Sequence, residues 1–422
     1  MRTRDEYRSS RALVIIGAAL DYFISIAVSG VYLAKITSYI GISDSLTGIL
    51  SSFLSLGCGF QLIAIFLAHK QPVKRWVTTV YIISEGIFAF LYLIPLFNIS
   101  KTVKTVIFVL MLLSAHVMKN IIGPSRSNWT ISLVEDNKRG RFTATCEMVS
   151  LVSGMAFSYI MGSLVDKFEA ENNIEGAFIT GGIALFVITI LLSSTLIFSK
   201  EKPTEVEKRP ILAEVRVVLS EKRLLKVMFL IVLWSIVSNI AIPFMGTYQT
   251  KELGFSTTYA SVIIMIGFLS RAICSRPMGK FADKFSFAKM LIICYTAEIM
   301  AFAIGVFIVP SNGKVTYVLY YLFYLIGMAG INSAGSNLIY DCVEEKNRVI
   351  ALAISQTISG FAGFFTTLIV SPVVSHIQKN GNKFFGIDVY AQQVLSLISF
   401  VGMCGIMIYL LTVVIKTKKD KI

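Results

Sequence analysis

SNWTISLVEDNKR (Ser127–Arg139) and SNLIYDCVEEKNR (Ser336–Arg348) are one stretch written twice, 209 residues apart. The Ser, the Asn, the Val, an acidic pair and the closing Arg coincide in order. A second set of matches precedes them. Tyr32-x-x-Lys35 is followed by Gly41-Ile42-Ser43, and Tyr248-x-x-Lys251 by Gly254-Phe255-Ser256. One such match is weak, but a set in the same order at a nearly constant offset means that the two halves of the 422-residue chain are related units.

The material of those halves is apolar. Of the residues, 55% are hydrophobic and only 15% charged, where soluble domains carry about 25% charge. This excludes a soluble globular enzyme, and it excludes disorder, which needs low hydrophobicity and high charge. Runs long enough to cross a bilayer, about 20 residues each, fall near 12–34, 46–67, 76–97, 105–133, 143–165, 176–198, 226–249, 257–280, 288–309, 315–341, 349–376 and 390–415. Twelve spans divide into six and six. The longest connection, 199–225, holds KEKPTEVEKRP and SEKRLLK and reads as a charged linker. The expected organisation is a six-helix bundle over 1–198, a cytoplasmic linker over 199–225 and a second six-helix bundle over 226–422. Helices satisfy every backbone group in lipid, so the fold class is an all-α integral membrane protein; the alternating ten-residue segments of a β-barrel are absent.

The net charge of +14, from 39 Lys+Arg against 25 Asp+Glu, taken alone suggests nucleic acid or an anionic surface. Its distribution gives another reading. With the N-terminus inside, most basic residues fall in cytoplasmic segments: Arg2, Arg4, Arg8 and Arg11 at the start, the whole linker, and Lys416, Lys418, Lys419 and Lys421 at the end. The opposite face holds few, among them Lys35, Lys101, Lys104, Lys167 and Lys251. That is the positive-inside rule, with both termini cytoplasmic. No nucleic-acid partner is needed. The first span is too long for a signal-peptide core and is expected to be retained.

Gly279-Lys-Phe-Ala-Asp283-Lys284-Phe-Ser286-Phe-Ala-Lys289, between spans eight and nine, resembles the G-x-x-x-D-[RK]-x-G-x-x-[RK] loop of the major facilitator superfamily, with Ser286 in place of Gly. The first-half copy keeps Lys70, Lys74 and Arg75 but has His69 where the pattern has Asp. The segment Glu135 to Arg141, with Arg139 and Arg141, resembles the superfamily as well. Together with twelve spans and a central linker, the resemblance covers the chain. It implies two six-helix bundles and a transporter working by alternating access, with a gating role for Gly279, Asp283, Lys284, Lys289, Arg139 and Arg141. Asp283 can pair with a neighbouring helix in one conformation and release it in the other. Parallel repeats place the substrate site near the midplane, between the halves.

Ionisable groups inside spans are costly and are functional candidates. Asp21 lies ten residues past Arg11, and Arg126 nine before Glu135, so at about 1.5 Å per residue both sit near mid-depth. The two can form a buried pair that takes up and releases a proton on opening. His116, Lys119, Gly123 and Arg126 recur at three- and four-residue spacing and share a face of span four. Lys119-x-x-Ile122-Gly123 loosely resembles the Arg-x-x-Gln-Gly element of drug/proton antiporters, but the Gly-Pro signature of those proteins is missing from Ser150 to Gly162. In the second half Arg271 can meet a substrate anion or Glu298. Asn239, Tyr248 and Gln249 are cavity candidates beside a hinge at Pro243, and Glu85 and Glu298 occupy similar places in spans three and nine, where pairing with a neighbouring helix is expected and a protonation site is the alternative.

Catalytic signatures are absent. Six cysteines form no C-x-x-C, three histidines stand far apart, and there is no Walker loop. No cofactor or metal is expected, and the energy for uphill transport has to come from an ion gradient. The reading is a monomeric, multi-pass secondary transporter of a small molecule in the plasma membrane, proton-coupled, with the lipid bilayer as its surroundings. Drug or metabolite efflux is the alternative within transport; a receptor or a membrane-bound enzyme is the alternative outside it.

Overall fold

The computed structural model describes residues 6–63, 73–135, 138–202, 211–344, 347–384 and 386–415. His69, Lys70 and the side chain of Arg141 lie outside that description.

The chain is helical nearly throughout. In order the helices are α1 Arg8–Ala27, α2 Gly30–Ile40, α3 Asp44–Ser51, α4 Phe53–Gly59, α5 Val73–Phe90, α6 Lys101–Ser132, α7 Arg139–Ala170, α8 Ile174–Phe198, α9 Ile211–Ser220, α10 Lys222–Ala241, α11 Thr257–Lys284, α12 Phe287–Gly305, α13 Gly313–Tyr340, α14 Arg348–Lys379 and α15 Ala391–Tyr409. Among the described residues eleven helices are long and apolar enough to cross a bilayer. The twelfth is α5, whose 18 residues include Lys74, Arg75 and Glu85. Its charges lower its apolar character. A small hairpin, β1 Lys383–Phe384 paired antiparallel with β2 Ile387–Asp388, is the one addition to the all-helical expectation among the described residues.

The repeated Gly-x-Ser has a local cause in each copy. Gly41 (φ +85°) and Gly254 (φ +63°) take the left-handed conformation that ends the preceding helical segment. Behind Gly41, Ile42 N–H reaches back to Thr37 O at 2.8 Å. Two residues on, Ser43 Oγ accepts from Leu46 N–H (3.3 Å) and Ser256 Oγ from Tyr259 N–H (3.1 Å), so each serine caps the next helix. Ser286, which replaces the glycine of the loop pattern, is a cap of the same kind. It accepts from Lys289 N–H at 3.2 Å and starts α12. Its backbone there is extended, a shape open to any residue, so Gly is not required.

The lysines of the repeat are matched too. Lys35 pairs with Glu169 at 2.7 Å, and Lys251 with Asp44. The two tyrosines donate to backbone carbonyls, Tyr32 to Ser158 O and Tyr248 to Ile308 O, each at 2.6 Å.

The chain packs as two compact units. One comprises Met1–Ile42, Phe60–Lys208 and Ser256–Ser261; the other comprises Ser43–Gly59, Arg209–Phe255 and Val262–Ile422. In the first, α1 packs on α7 and α8, and α5 on α6 and α8. One end of the unit is tied by polar bonds: Arg11 to Leu133 O, Trp129 to Lys200 O, and Lys200 N–H to Ser10 Oγ. At another point Asp166 of α7 accepts from the N–H groups of Thr257 (2.8 Å) and Thr258 (2.7 Å), two donors that the start of α11 cannot satisfy internally. Asp166→Ala is expected to cost about 1–2 kcal/mol, seen as a lower midpoint of thermal unfolding in detergent. Asp166→Asn, which keeps an acceptor and loses the charge, will cost less. Equal midpoints for wild type and Asp166→Ala would remove this capping role.

In the second unit α12 packs on α13 and α15, α10 on α14 and α15, and α3 and α4 on α14. Side chains such as Ile160 (63% exposed), Ile190 (65%) and Ile369 (75%) point outward, as a lipid-facing surface requires.

Candidate functional site

Three helices of the first unit bring four charges together. Asp21 stands two-thirds of the way along α1. Lys119 Nζ lies 2.5 Å from its Oδ1, and Arg126 Nη1 lies 3.2 Å from its Oδ2. Lys119 also reaches Glu85 of α5 at 2.9 Å and Ser25 Oγ at 3.3 Å. Arg126 donates to the Tyr81 hydroxyl at 2.6 Å, and its guanidinium sits 4.2 Å from the Tyr81 ring centre.

The spacing explains the convergence. Lys119 and Arg126 are seven residues apart on α6, two turns on one face. Tyr81 and Glu85 are four apart on α5, one turn on one face. The α6 helix runs through Pro124 without a break. Two carboxylates and two cations leave the group formally neutral, which is how buried charge is tolerated at this depth.

The cluster has a front and a back. The side chains of Asp21 and Arg126 are each 21% exposed and that of Lys119 is 18% exposed, whereas Glu85 is 1% exposed. Glu85 is sealed behind Lys119, and the other three present an accessible edge. A polar ligand placed at that edge would compete with Asp21 for the two cations. Protonation of Asp21 removes the charge that holds them.

The rest of the α6 stripe is used locally. His116 meets the Phe88 ring edge-on at 4.9 Å, and Asn120 accepts from Gln61 at 3.3 Å. Tyr81 and Ser25 are participants that the sequence reading did not name. The i, i+4 relation of Tyr81 to Glu85 was the available signal.

The other site residues named from the sequence are spread through the second unit, apart from Arg139, which opens α7 and is exposed. Asn239 accepts from Ser55 at 3.2 Å and donates to Ser235 O. Tyr248 is fully buried with its hydroxyl on Ile308 O, and Gln249, 6% exposed, donates to the Tyr317 hydroxyl at 2.6 Å. In this conformation both are packed between helices and line no open surface. Arg271 lies on α11 within electrostatic reach of Tyr321 and Tyr324 of α13. Glu298 accepts from Trp234 at 2.8 Å. Gly279 and Asp283 lie on the last turns of α11, and Lys284 and Lys289 flank the Phe285 ring at 5.3 and 5.7 Å. Among the described residues no group of three or more His, Cys, Asp or Glu is arranged to hold a metal ion.

Comparison with known proteins places this architecture. The family model described as Major Facilitator Superfamily matches residues 14–367. No curated protein matches the chain by sequence. Among solved structures, the nucleoside transporter NupG superposes with a TM-score of 0.70 at 14% identity, over 95% of this chain and 98% of that one. A D-xylose-proton symporter superposes with a TM-score of 0.70 at 15% identity, over 94% and 96%. A peptide transporter of the POT family gives 0.68 at 12% identity, over 95% and 96%. At such identities the likeness is one of fold.

Proposed function

The chain belongs to the major facilitator superfamily, a multi-pass membrane protein with that family's transporter fold, and we propose that it is a proton-coupled secondary active transporter of a small organic solute. The two halves, 1–198 and 226–422 joined by the linker 199–225, work by alternating access. The protein acts as a monomer in the plasma membrane with both termini cytoplasmic, and it does no covalent chemistry on its substrate.

The observation that carries this reading is Lys119 held between Asp21 and Glu85, with Arg126 on the far side of Asp21. A structural ion pair needs one acid and one base. Here two cations share one partly accessible carboxylate, so protonating that carboxylate leaves Arg126 without its anion and Lys119 with Glu85 alone, and their N–H groups become free to donate to an anionic or hydrogen-bonding solute. Proton uptake and substrate binding are coupled because they draw on the same three side chains. Arg271, Asn239, Tyr248 and Gln249 are the second unit's contributors, the last two in a conformation other than this one. Gly279, Asp283, Lys284, Lys289, Arg139 and Arg141 are the gating elements at the cytoplasmic side. That a D-xylose-proton symporter has the same fold supports proton as the coupling ion without identifying the solute.

The test has two stages. A thermal-shift screen of the purified protein against sugars, organic acids, nucleosides, amino acids and drugs finds the solute. With that solute in proteoliposomes, Asp21→Asn is expected to abolish accumulation driven by a pH gradient while leaving exchange in place. Accumulation at the wild-type level would remove Asp21 from the coupling step.

A further inference from the structure

Glu298 stands on α12 where Glu85 stands on α5, but its surroundings are different. Glu85 to Glu298 is a step of 213 residues, the same step that takes Gly41 to Gly254, whereas ahead of that glycine Tyr32 and Lys35 are 216 residues from Tyr248 and Lys251, a step that takes Asp21 to Val237. The step of 209 between the long repeated stretches takes Lys119 to Met328. The second half has kept the acid, with an aliphatic side chain in place of the aspartate and a thioether in place of the lysine.

What faces Glu298 can be stated group by group. Its carboxylate Oε2 accepts from Trp234 Nε1 of α10 at 2.8 Å. Its Oε1 is buried without a hydrogen-bond partner, and the residue is 0% exposed. Cys294 and Tyr295 approach from its own helix, and Tyr320 and Tyr324 from α13. On α13 the backbone comes so close at Gly327 that a Cβ there would lie 2.7 Å from Glu298 Cγ. The third neighbouring helix, α15, brings the hydroxyl of Ser396 to Gly305, two turns along α12 from Glu298. Every one of these groups is neutral at physiological pH. Among the described residues no Lys, Arg or His forms an ion pair with Glu298.

An ionised carboxylate sealed from water, with one N–H donor for its several lone pairs and no cation, is not a stable arrangement. A carboxylic acid in the same place costs far less than the unpaired charge: one oxygen accepts from the indole and the other carries the proton. We propose that Glu298 is a proton-binding site of the second half, loaded in this conformation and paired with Trp234. The O–H bond forms at Oε1 with a proton taken from water, and it breaks, returning the proton to water, when the Trp234–Glu298 contact opens and admits solvent. The proposal rests on the proton-coupled reading for its use in transport, but the site itself is defined without it.

Infrared spectroscopy of the purified protein in liposomes tests it with no substrate present. Wild type at neutral pH is expected to show a protonated-carboxyl C=O band that shifts on exchange into heavy water and is lost in Glu298→Gln, a variant that keeps an acceptor for Trp234. Should Glu298→Gln fail to fold, Trp234→Phe keeps the acid and removes its donor, and the band is expected to move to higher frequency. A wild-type spectrum without the band, a band that persists in Glu298→Gln, or a band unmoved in Trp234→Phe overturns the assignment. If the band is assigned to Glu298 and Asp21→Asn still accumulates solute on a pH gradient, the coupling role of Asp21 fails and the Glu298 site stands.

Discussion

Lys119→Met will destabilise the protein by about 3–5 kcal/mol, and adding Glu85→Gln to the same chain will recover a large part of that loss. Lys119 neutralises two carboxylates at once. When it is removed, Asp21 retains Arg126 at 3.2 Å, but Glu85, whose side chain is 1% exposed, loses its one ion-pair partner among the described residues. The loss is large because the abandoned charge cannot turn to solvent. Two unit charges about 4 Å apart interact by about 4 kcal/mol at an effective dielectric of about 20, and removing one partner leaves the other's desolvation uncompensated. Met is the informative replacement, since it preserves most of the stem volume and is what the second half carries at the matching position, Met328. Glu85→Gln alone leaves Lys119 paired with Asp21 and is expected to cost much less. The double-mutant cycle, measured by unfolding in detergent, should return a coupling of more than about 1 kcal/mol. Strict additivity would mean that Lys119 and Glu85 are neighbours without being partners.

This cluster marks how far the sequence can be read. Depth along a helix follows from counting residues, which sets Asp21 and Arg126 at the same level and the α6 stripe to one side. Rotation about the helix axis relative to a neighbour does not follow from counting. For that reason the sequence places Glu85 only in a peripheral helix pair and gives Tyr81 no role, although both residues complete the cluster. The same limit applies to Tyr248. Its place in the repeat is legible, but its hydroxyl donates to Ile308 O and the residue is fully buried.

Local chemistry is more readable than packing. The Gly-x-Ser repeats are visible as matches, and their cause, a left-handed glycine followed by a helix cap, is written in residue types. Pro243, read as a hinge, sits in a 3₁₀ turn at Ile242–Phe244, and a π turn follows at Tyr248–Glu252. The missing N–H of proline accounts for the first. The hairpin at Lys383–Asp388 has strands of two residues each, too short for any alternating pattern to declare itself.

Gly360→Leu is expected to part α4 from α14 and to raise the labelling rate of Cys58 by on the order of ten- to hundredfold. A Cβ at position 360 would lie 2.5 Å from Ser55 O, 2.6 Å from Gly59 N and 3.0 Å from Cys58 C, all of them backbone atoms. Side chains can swing away from an intruder; a helical backbone moves only as a body. Overpacking of this kind costs about 1–3 kcal/mol, charged against the one arrangement in which α4 and α14 touch, and each 1.4 kcal/mol is roughly a factor of ten in population. Cys58 is a suitable reporter because its own backbone is part of the contact and the residue is half-buried, so its exposure can rise. Thiols in an apolar, dry setting react slowly with maleimides, since the thiolate is the reacting form, so water entering between α4 and α14 speeds the reaction. The measurement uses a chain in which Cys58 is the only cysteine, a membrane-permeant maleimide, and an unfolding midpoint to confirm that the variant is folded. Gly360→Ala should fall between wild type and Gly360→Leu. A folded Gly360→Leu protein that labels at the wild-type rate would mean that α4 and α14 have room to spare, and Gly360 would then have no part in holding them together.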